Sequence, residues 1–198
     1  MPAATPTSPY VLIDGARILY APLASTLPAD SVALGGDWPV AWKEIGYTTE
    51  PAKVTTSFDV YKLMVQQRST YIYKKKTSSD VRLETRMADF SADSLKLTMG
   101  GNKTTVAATS GVPPVDVYTY VDDIIIPANM WAVEGGFIFD PVTVYPVRIF
   151  LFSASPSEGT DFEINREREA APVLNLEAAS ISDGSVYQIR WVVGAPGA

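Results

Sequence analysis

Cysteine and histidine are both absent from the 198 residues of this chain. Their absence excludes disulfide bonds, thiolate nucleophiles and zinc sites built from these two residues. It also excludes serine–histidine–aspartate and cysteine–histidine catalysis, because both mechanisms require an imidazole base. Only carboxylate or lysine chemistry, or a cation site with oxygen ligands, remains open.

Long hydrophobic runs are also missing. No stretch approaches the ~18 consecutive apolar residues that a membrane helix requires. Residues Met1 to Pro9 contain neither the basic region nor the apolar core of a signal peptide. The composition, 46% hydrophobic and 19% charged, still supplies enough apolar material for a packed core. We therefore expect a soluble protein that is made in a cytoplasm and does not insert into a membrane.

Positive charge is scarce and is concentrated in one segment. The formal net charge is −6, which argues against a general nucleic-acid-coating protein, whose surface is usually basic. Between Lys62 and Arg86, seven cations and two anions give a net +5, so the rest of the chain carries −11. This segment fits an ordinary solvated hairpin. It also fits a subunit with complementary patches that associates head to tail into rings or filaments.

Strand patterns dominate the chain. The clearest is residues 81–88, where apolar and polar side chains alternate with a period of two. Phe58–Val65 is apolar on both faces in places, which predicts a strand that is covered on both sides. Further strands are predicted at Tyr71–Tyr73, Val115–Val121, Trp131–Phe139, Val142–Phe152, Phe162–Asn165, Val173–Ala178 and Val186–Val193.

A single short helix is predicted at about residues 91–99. Ser91 is a favourable N-cap, Asp93 lies in the positive first turn, and Gly100-Gly101 would end the helix. Many short strands with one small helix predict a mainly β fold, a sandwich or barrel with extended arms.

The N-terminal part is less regular. Residues 1–42 are predicted to be an arm and an irregular connection, and residues 43–198 a single domain. Within the first part, Asp14-Gly15 predicts a tight hairpin between the apolar runs Tyr10–Ile13 and Arg17–Tyr20.

Two acidic groups of residues could in principle carry chemistry. Asp122-Asp123 could bind a cation or form half of a glycosidase site, but adjacent residues on a strand point to opposite faces. Residues 158–169 are rich in acids, and a solvated hairpin face with ion pairs explains them better than an acidic binding surface. Because no pair is placed for catalysis, we predict that the protein is not an enzyme and uses no cofactor or metal.

Lysines and tryptophans are the other candidates. Lys74, Lys75 and Lys76 follow aromatic residues that could stack on bases, but an edge or interface role fits them better than nucleic-acid binding. Trp38, Trp42, Trp131 and Trp191 are scattered and indicate core or interface anchors rather than a carbohydrate platform.

Two stretches carry a family resemblance. Gly35 to Thr48 has the sequence GGDWPVAWKEIGYT, and Val65 to Gly101 contains a glutamine, a basic strand, an alternating strand and a short helix with Leu95-Lys96-Leu97 before Gly100. In this order the phrases resemble the tail tube (major tail) proteins of long-tailed bacteriophages of actinobacteria. The resemblance points towards a non-contractile tail.

The resemblance implies a tail tube β-sandwich that forms hexameric rings stacked into a hollow tube, through which DNA passes during ejection. Its partners would be further copies of itself, the tape measure protein and tail-end proteins, in a virion assembled in the host cytoplasm. The inner strands would lie near Phe58–Val65 and Tyr71–Lys76. The residues expected at contacts between subunits or rings are Gln66, Gln67, Arg68, Ser69, Lys74, Lys75, Lys76, Trp38 and Trp42.

Two alternatives remain open. The first is another phage structural protein with a similar sandwich, such as a distal tail, terminator or head-decoration protein. The second is a carbohydrate-binding or host-recognition domain, which would present an exposed row of aromatic side chains.

Overall fold

Strands account for most of the regular structure. A computed structural model describes residues 11–64, 70, 72–120, 126–138, 144–159 and 171–192, without the side chains of residues 11–15 and 138. Its elements are β1 (Val11–Ala21), β2 (Lys43–Glu44), β3 (Lys53–Leu63), β4 (Tyr73–Arg86), α1 (Ala92–Met99), β5 (Asn102–Val106), β6 (Val115–Thr119), β7 (Asn129–Ile138), β8 (Val144–Pro156), β9 (Val173–Ala178) and β10 (Tyr187–Trp191). The predicted mainly β fold with one short helix is confirmed for the described residues.

The main sheet has the order β2-β1-β7-β8-β9-β4-β3, and every pairing is antiparallel. Strand β8 divides its length between two neighbours. Its residues 147–151 pair with β10, and its residues 154–156 pair with β9. The remaining two strands, β5 and β6, form a separate sheet of their own.

The core lies on one face of the main sheet. Ile18, Trp131 and Leu151 come from the β1-β7-β8 half, whereas Leu83 and Leu176 come from the β9-β4 half, and all five are buried in one cluster. Each such side chain contributes about 1.5–3 kcal/mol on burial. The two halves of the sheet therefore enclose a shared core, as in a sandwich.

The opposite face of the β1-β7-β8 half is buried as well. Leu19, Ala132 and Phe150 form a second cluster, which Trp42 and Trp38 of the connection before β2 cover. Strands buried on both faces lose the alternation of apolar and polar residues. This explains why β7 and β8 are nearly continuous apolar runs.

Helix α1 begins and ends as predicted. The Ser91 hydroxyl accepts a hydrogen bond from the Ser94 amide, and the Ser94 hydroxyl accepts one from the Ser91 amide, which completes a capping box. Leu95 is buried, and Leu97 packs against the main core. This contact stabilises a helix that is too short to be stable alone.

Two predictions of local structure are wrong. Asp14-Gly15 forms no hairpin, because β1 is one strand in which the residues between Ile13 and Arg17 bulge opposite Gly135. The strand predicted to be covered on both sides is instead exposed along most of β3.

Other predictions are not tested by the described residues. The strand at residues 162–165 and the acidic pair at 122–123 lie outside the described residues, as does most of the acidic stretch 158–169. The division of the chain at residue 42 stays a prediction. In the part of the chain that the structure describes, no helix has the length and apolar character needed to span a membrane.

Candidate assembly surface

Strands β3 and β4 are longer than the part of β4 that pairs with the rest of the sheet. Strand β4 pairs with β9 through residues 82–86, whereas β3 and β4 continue to pair with each other as far as Leu63 and Tyr73. We call residues 58–63 and 72–79 the projecting hairpin. Most of its side chains are exposed, so in the single chain it presents two open faces.

The strand register divides the projecting hairpin into two chemically different faces. Opposite residues point to the same side, so Val60 and Lys76 share one face with Lys62 and Lys74. Phe58 lies on this face too, where the ammonium of Lys76 lies 5.7 Å from the centre of its ring. This face continues the core-facing side of β3 and β4, and it is basic.

The other face of the projecting hairpin is aromatic. Leu63 lies opposite Tyr73 and Tyr61 opposite Lys75, and the two tyrosines are 52–53% exposed. Nearer the base, the Ser78 hydroxyl donates a hydrogen bond of 2.8 Å to the Asp59 carboxylate. The three consecutive lysines therefore separate, with Lys75 on the aromatic face and its two neighbours on the basic face.

We call the part of β3 and β4 where β4 pairs with β9 the base of these strands. Cations at this base pair with carboxylates. The N···O distances are 3.1 Å for Lys53–Glu84, 2.8 Å for Arg82–Asp80 and 3.1 Å for Arg86–Glu50. Exposed pairs of this kind contribute only about 0–1 kcal/mol each to stability. Their main effect is to neutralise the base, so the positive charge of this segment is concentrated towards the tip.

The predicted contact residues fall into three places. Gln66, Gln67, Arg68 and Ser69 lie outside the described residues, between the two strands of the projecting hairpin. Lys74, Lys75 and Lys76 lie on that hairpin, on its two faces. Trp38 and Trp42 lie elsewhere, on the outer face of the β1-β7-β8 half of the sheet.

Both tryptophans of the connection pack within the chain itself. Trp42 is only 7% exposed, and its indole nitrogen donates a 2.8 Å hydrogen bond to the carbonyl of Thr26. Trp38 contacts Trp42 edge to face, with ring centres 5.1 Å apart. The guanidinium groups of Arg17 and Arg148 lie 5.5 and 5.6 Å from the Trp38 ring centre, so the aromatic pair is fixed by cation–π contacts.

A buried network of charges holds the same connection. The carboxylate of Glu134 accepts hydrogen bonds from Arg17 at 2.7 Å and from Arg148 at 2.8 Å, and both Glu134 and Arg148 are fully buried. The two guanidinium groups then donate to backbone carbonyls of residues 29, 32 and 36. Sequence reasoning missed this network, although single charges within the apolar strands β7 and β8 were a usable signal.

The small sheet β5-β6 offers a second exposed surface. One of its faces turns to α1, where the ammonium of Lys103 bridges Asp93 at 2.5 Å and Asp116 at 3.0 Å. The hydrogen bond to Asp93, with a second to Asp116, raises the pKa of Lys103. A hydrogen bond from Thr105, together with that lysine, lowers the pKa of Asp116.

The grooves between the described residues contain single carboxylates rather than pairs. A groove of about 600 Å³ beside α1 is lined by Tyr20, Lys43, Asp93 and Lys96, among others. The carboxylate in this groove, that of Asp93, already pairs with Lys103. Among the described residues, no cluster of carboxylates could hold a metal ion.

A β-rich chain that uses its buried charges for its own packing and exposes two hairpin surfaces has the features of a structural assembly protein. The sequence model of the phage tail tube protein family matches residues 9–124, more than half of the chain. The chain therefore belongs to the phage tail tube protein family, a structural component of the virion. No curated protein matches it. The matched residues include the projecting hairpin, α1 and the small sheet.

Proposed function

We propose that the chain assembles into hexameric rings that stack into the hollow tube of a long, non-contractile phage tail. The observation that carries this proposal is the projecting hairpin. Phe58, Tyr61 and Tyr73 are 52–61% exposed on a two-stranded extension that the described body does not cover. Two strands alone are marginally stable in water, so contact with a neighbouring subunit would stabilise the hairpin.

The charge distribution supports contact between identical copies. Residues 58–79 carry five cations and one anion, a net +4, so the remaining chain carries −10. A basic hairpin of one copy can therefore meet the acidic body of the next. Because the two surfaces differ, such a contact is heterologous, and it repeats around a ring or along a tube.

The predicted contact residues take different parts in this proposal. Gln66–Ser69, which lie between β3 and β4 in the sequence, would reach the neighbouring ring, and Lys74–Lys76 would contact adjacent subunits. Trp38 and Trp42 would act indirectly, because their rings already pack against Phe150 and hold the connection on the sheet.

The ion pairs at the base of β3 and β4 fit a surface past which DNA moves. Each lysine or arginine that binds a phosphate strengthens the attachment of DNA. Lys53, Arg82 and Arg86 each lie within 3.1 Å of a carboxylate, which competes with phosphate for them. We propose that DNA passes through the lumen during ejection, and that the tape measure protein and tail-end proteins are further partners in a virion assembled in the host cytoplasm.

Negative-stain electron microscopy of the purified chain tests the proposal directly. We expect long hollow tubes whose end-on views have sixfold symmetry. Persistent monomers would overturn the proposal. Isolated rings or trimers would also count against it and would favour a terminator, distal tail or head-decoration protein.

A charge-reversed variant tests the role of the lysines. Lys74→Glu, Lys75→Glu and Lys76→Glu together replace three positive charges by three negative ones and should impair tube assembly, because like charges repel across the contact. The matched control is arginine at the same three positions, which keeps the charge and should still form tubes. Normal tubes from the glutamate variant would show that these charges do not face acidic surfaces of a neighbour.

A further inference from the structure

The two sides of strands β3 and β4 differ in charge. On the aromatic face of the projecting hairpin, the charges of Lys75 and Asp59 cancel each other. The register places Lys53 and Thr55 on the same side, so one continuous side runs from the base of the strands to the tip of the hairpin. We call it the balanced side. With β9 included, its strand residues comprise four cations and four anions, namely Lys53, Lys75, Arg82, Arg86, Asp59, Asp80, Glu84 and Glu177.

The basic face of the projecting hairpin carries positive charge alone. The register places Lys62, Lys74 and Lys76 on it, together with Phe58 and Val60. Towards the base this face continues into the side of β3 that packs against the buried core of the chain. Beyond that core, Phe58 is 61% exposed. The basic face is therefore a core-facing surface that the described body leaves uncovered.

The charge of the remaining chain indicates what the basic face contacts. Outside residues 58–79 the chain has 11 cations and 21 anions. Seven of these cations already pair with carboxylates of the same chain, namely Arg17, Lys53, Arg82, Arg86, Lys103, Arg148 and Arg190. The body of a second copy therefore offers an excess of carboxylates, which complements a face with three lysines.

We infer that the basic face of the projecting hairpin docks on the acidic body of a second copy, while the balanced side stays open to solvent. The inference rests on the proposed self-assembly and narrows the contact to Lys74 and Lys76, without Lys75. The balanced side then lies along the path proposed for DNA, where equal numbers of cations and anions give no net attraction for phosphates. Its tyrosines stay hydrated through their hydroxyl groups.

Charge reversal at two neighbouring lysines tests the inference. Lys76→Glu places a carboxylate on the basic face and should raise the protein concentration needed for assembly on the order of tenfold or more, because like charges then meet across the contact. Lys75→Glu is the matched control, since it makes the same change on the balanced side. It should assemble like the unaltered chain. Sedimentation of tubes measures both, and circular dichroism shows whether each variant is folded.

Thiol reactivity tests which face is covered in the assembly. The chain has no cysteine, so Val60→Cys introduces a single thiol on the basic face and Tyr61→Cys a single thiol on the aromatic face. A small maleimide should react with the thiol of Val60→Cys on the order of tenfold more slowly in tubes than in the dissociated chain, because the contact excludes the reagent. The thiol of Tyr61→Cys should react at similar rates in both states.

The outcomes separate this inference from the proposed function. If the unaltered chain forms no oligomer, the proposed self-assembly is wrong, and the docking of the basic face with it. If tubes form, yet Lys76→Glu assembles no worse than Lys75→Glu or the thiol of Val60→Cys stays reactive in tubes, self-assembly stands and the assignment to the basic face is wrong. A defect confined to Lys76→Glu, together with protection confined to Val60→Cys, supports the assignment.

Discussion

Glu134 is a buried carboxylate that binds two arginines at once. Its carboxylate binds Arg17 and Arg148, and through them it holds the backbone of residues 29–36 against the sheet. Buried ion pairs add little net stability compared with apolar packing, but removal of one partner leaves the others unpaired. The connection before β2 is therefore held in place by electrostatics as well as by its tryptophans.

Substitution of this residue has a predictable cost. Glu134→Gln should lower the free energy of unfolding by about 3–5 kcal/mol, because two guanidinium groups lose their carboxylate inside the protein. Urea denaturation of monomeric protein measures the change. Glu44→Gln, at an exposed position on β2, should change stability by less than about 0.5 kcal/mol. A loss below about 1 kcal/mol for the buried variant would contradict the role assigned to the network.

Two glycines with nearly the same positive φ separate backbone strain from a steric clash. Gly46 has φ +87° with open space where a Cβ would lie, whereas Gly101 has φ +86° and its Cβ would lie 2.8 Å from atoms of Thr119 and Tyr118. Gly46→Ala should cost about 1–2 kcal/mol from the positive φ alone. Gly101→Ala should cost about 1–3 kcal/mol more, because β6 must shift. Equal thermal stabilities of the two variants would contradict this assignment.

At the level of residues, the sequence indicates candidate side chains for contacts but not which side chains contact each other. An edge or interface role is predicted for Lys74, Lys75 and Lys76, yet their distribution over two faces depends on the pairing with β3. The contact between Glu134 and Arg148 depends on the register of β7 and β8. Strand register is a long-range property, so local patterns could not predict these contacts.

Among the elements, α1 has limits that were predicted to within one residue, about 91–99 against the observed Ala92–Met99. Its start depends on the Ser91 cap and its end on Gly100, and both signals act within a few residues. Strand β9 was also predicted with its observed bounds. The hairpin predicted at Asp14-Gly15 was wrong because β7 lies alongside and pairs with both halves of β1, which overrides the turn preference.

The cap of α1 can be tested directly. Ser91→Ala removes the hydroxyl that accepts from the Ser94 amide at 3.2 Å and should lower the free energy of unfolding by about 1 kcal/mol. The control is Ser110→Ala, at an exposed turn position between β5 and β6. Chemical denaturation compares the two, and equal stabilities would argue against a stabilising cap.

For the molecule as a whole, the absence of histidine determines the expected response to pH. The lowered pKa of Asp116 means that its stabilising contacts are present above its ordinary value of 3.8 and are lost as pH falls through the lowered pKa. The raised pKa of Lys103 means that its contribution is full below 10.5 and is lost as pH rises through the raised pKa. Between these limits the link from α1 to the small sheet stays charged.

Tube assembly should therefore vary little between pH 6 and pH 8, since no imidazole titrates there. Below about pH 4, protonation of carboxylates removes the acidic charge of the body, and assembly should weaken. Sedimentation of tubes across a pH series measures both effects. A sharp transition near pH 6.5 would contradict the expectation, because it would require a strongly perturbed group at the contact.

The long pairing of β3 with β4 has a mechanical consequence. A pull on the tip of the projecting hairpin runs along β4, whose residues 82–86 are bonded to β9. Hydrogen bonds of an antiparallel pair lie perpendicular to the strands, so this load acts on all of them at once rather than opening them one after another. Tension between neighbouring copies would therefore be resisted in shear and passed through β9 to β8, deep in the body of each subunit.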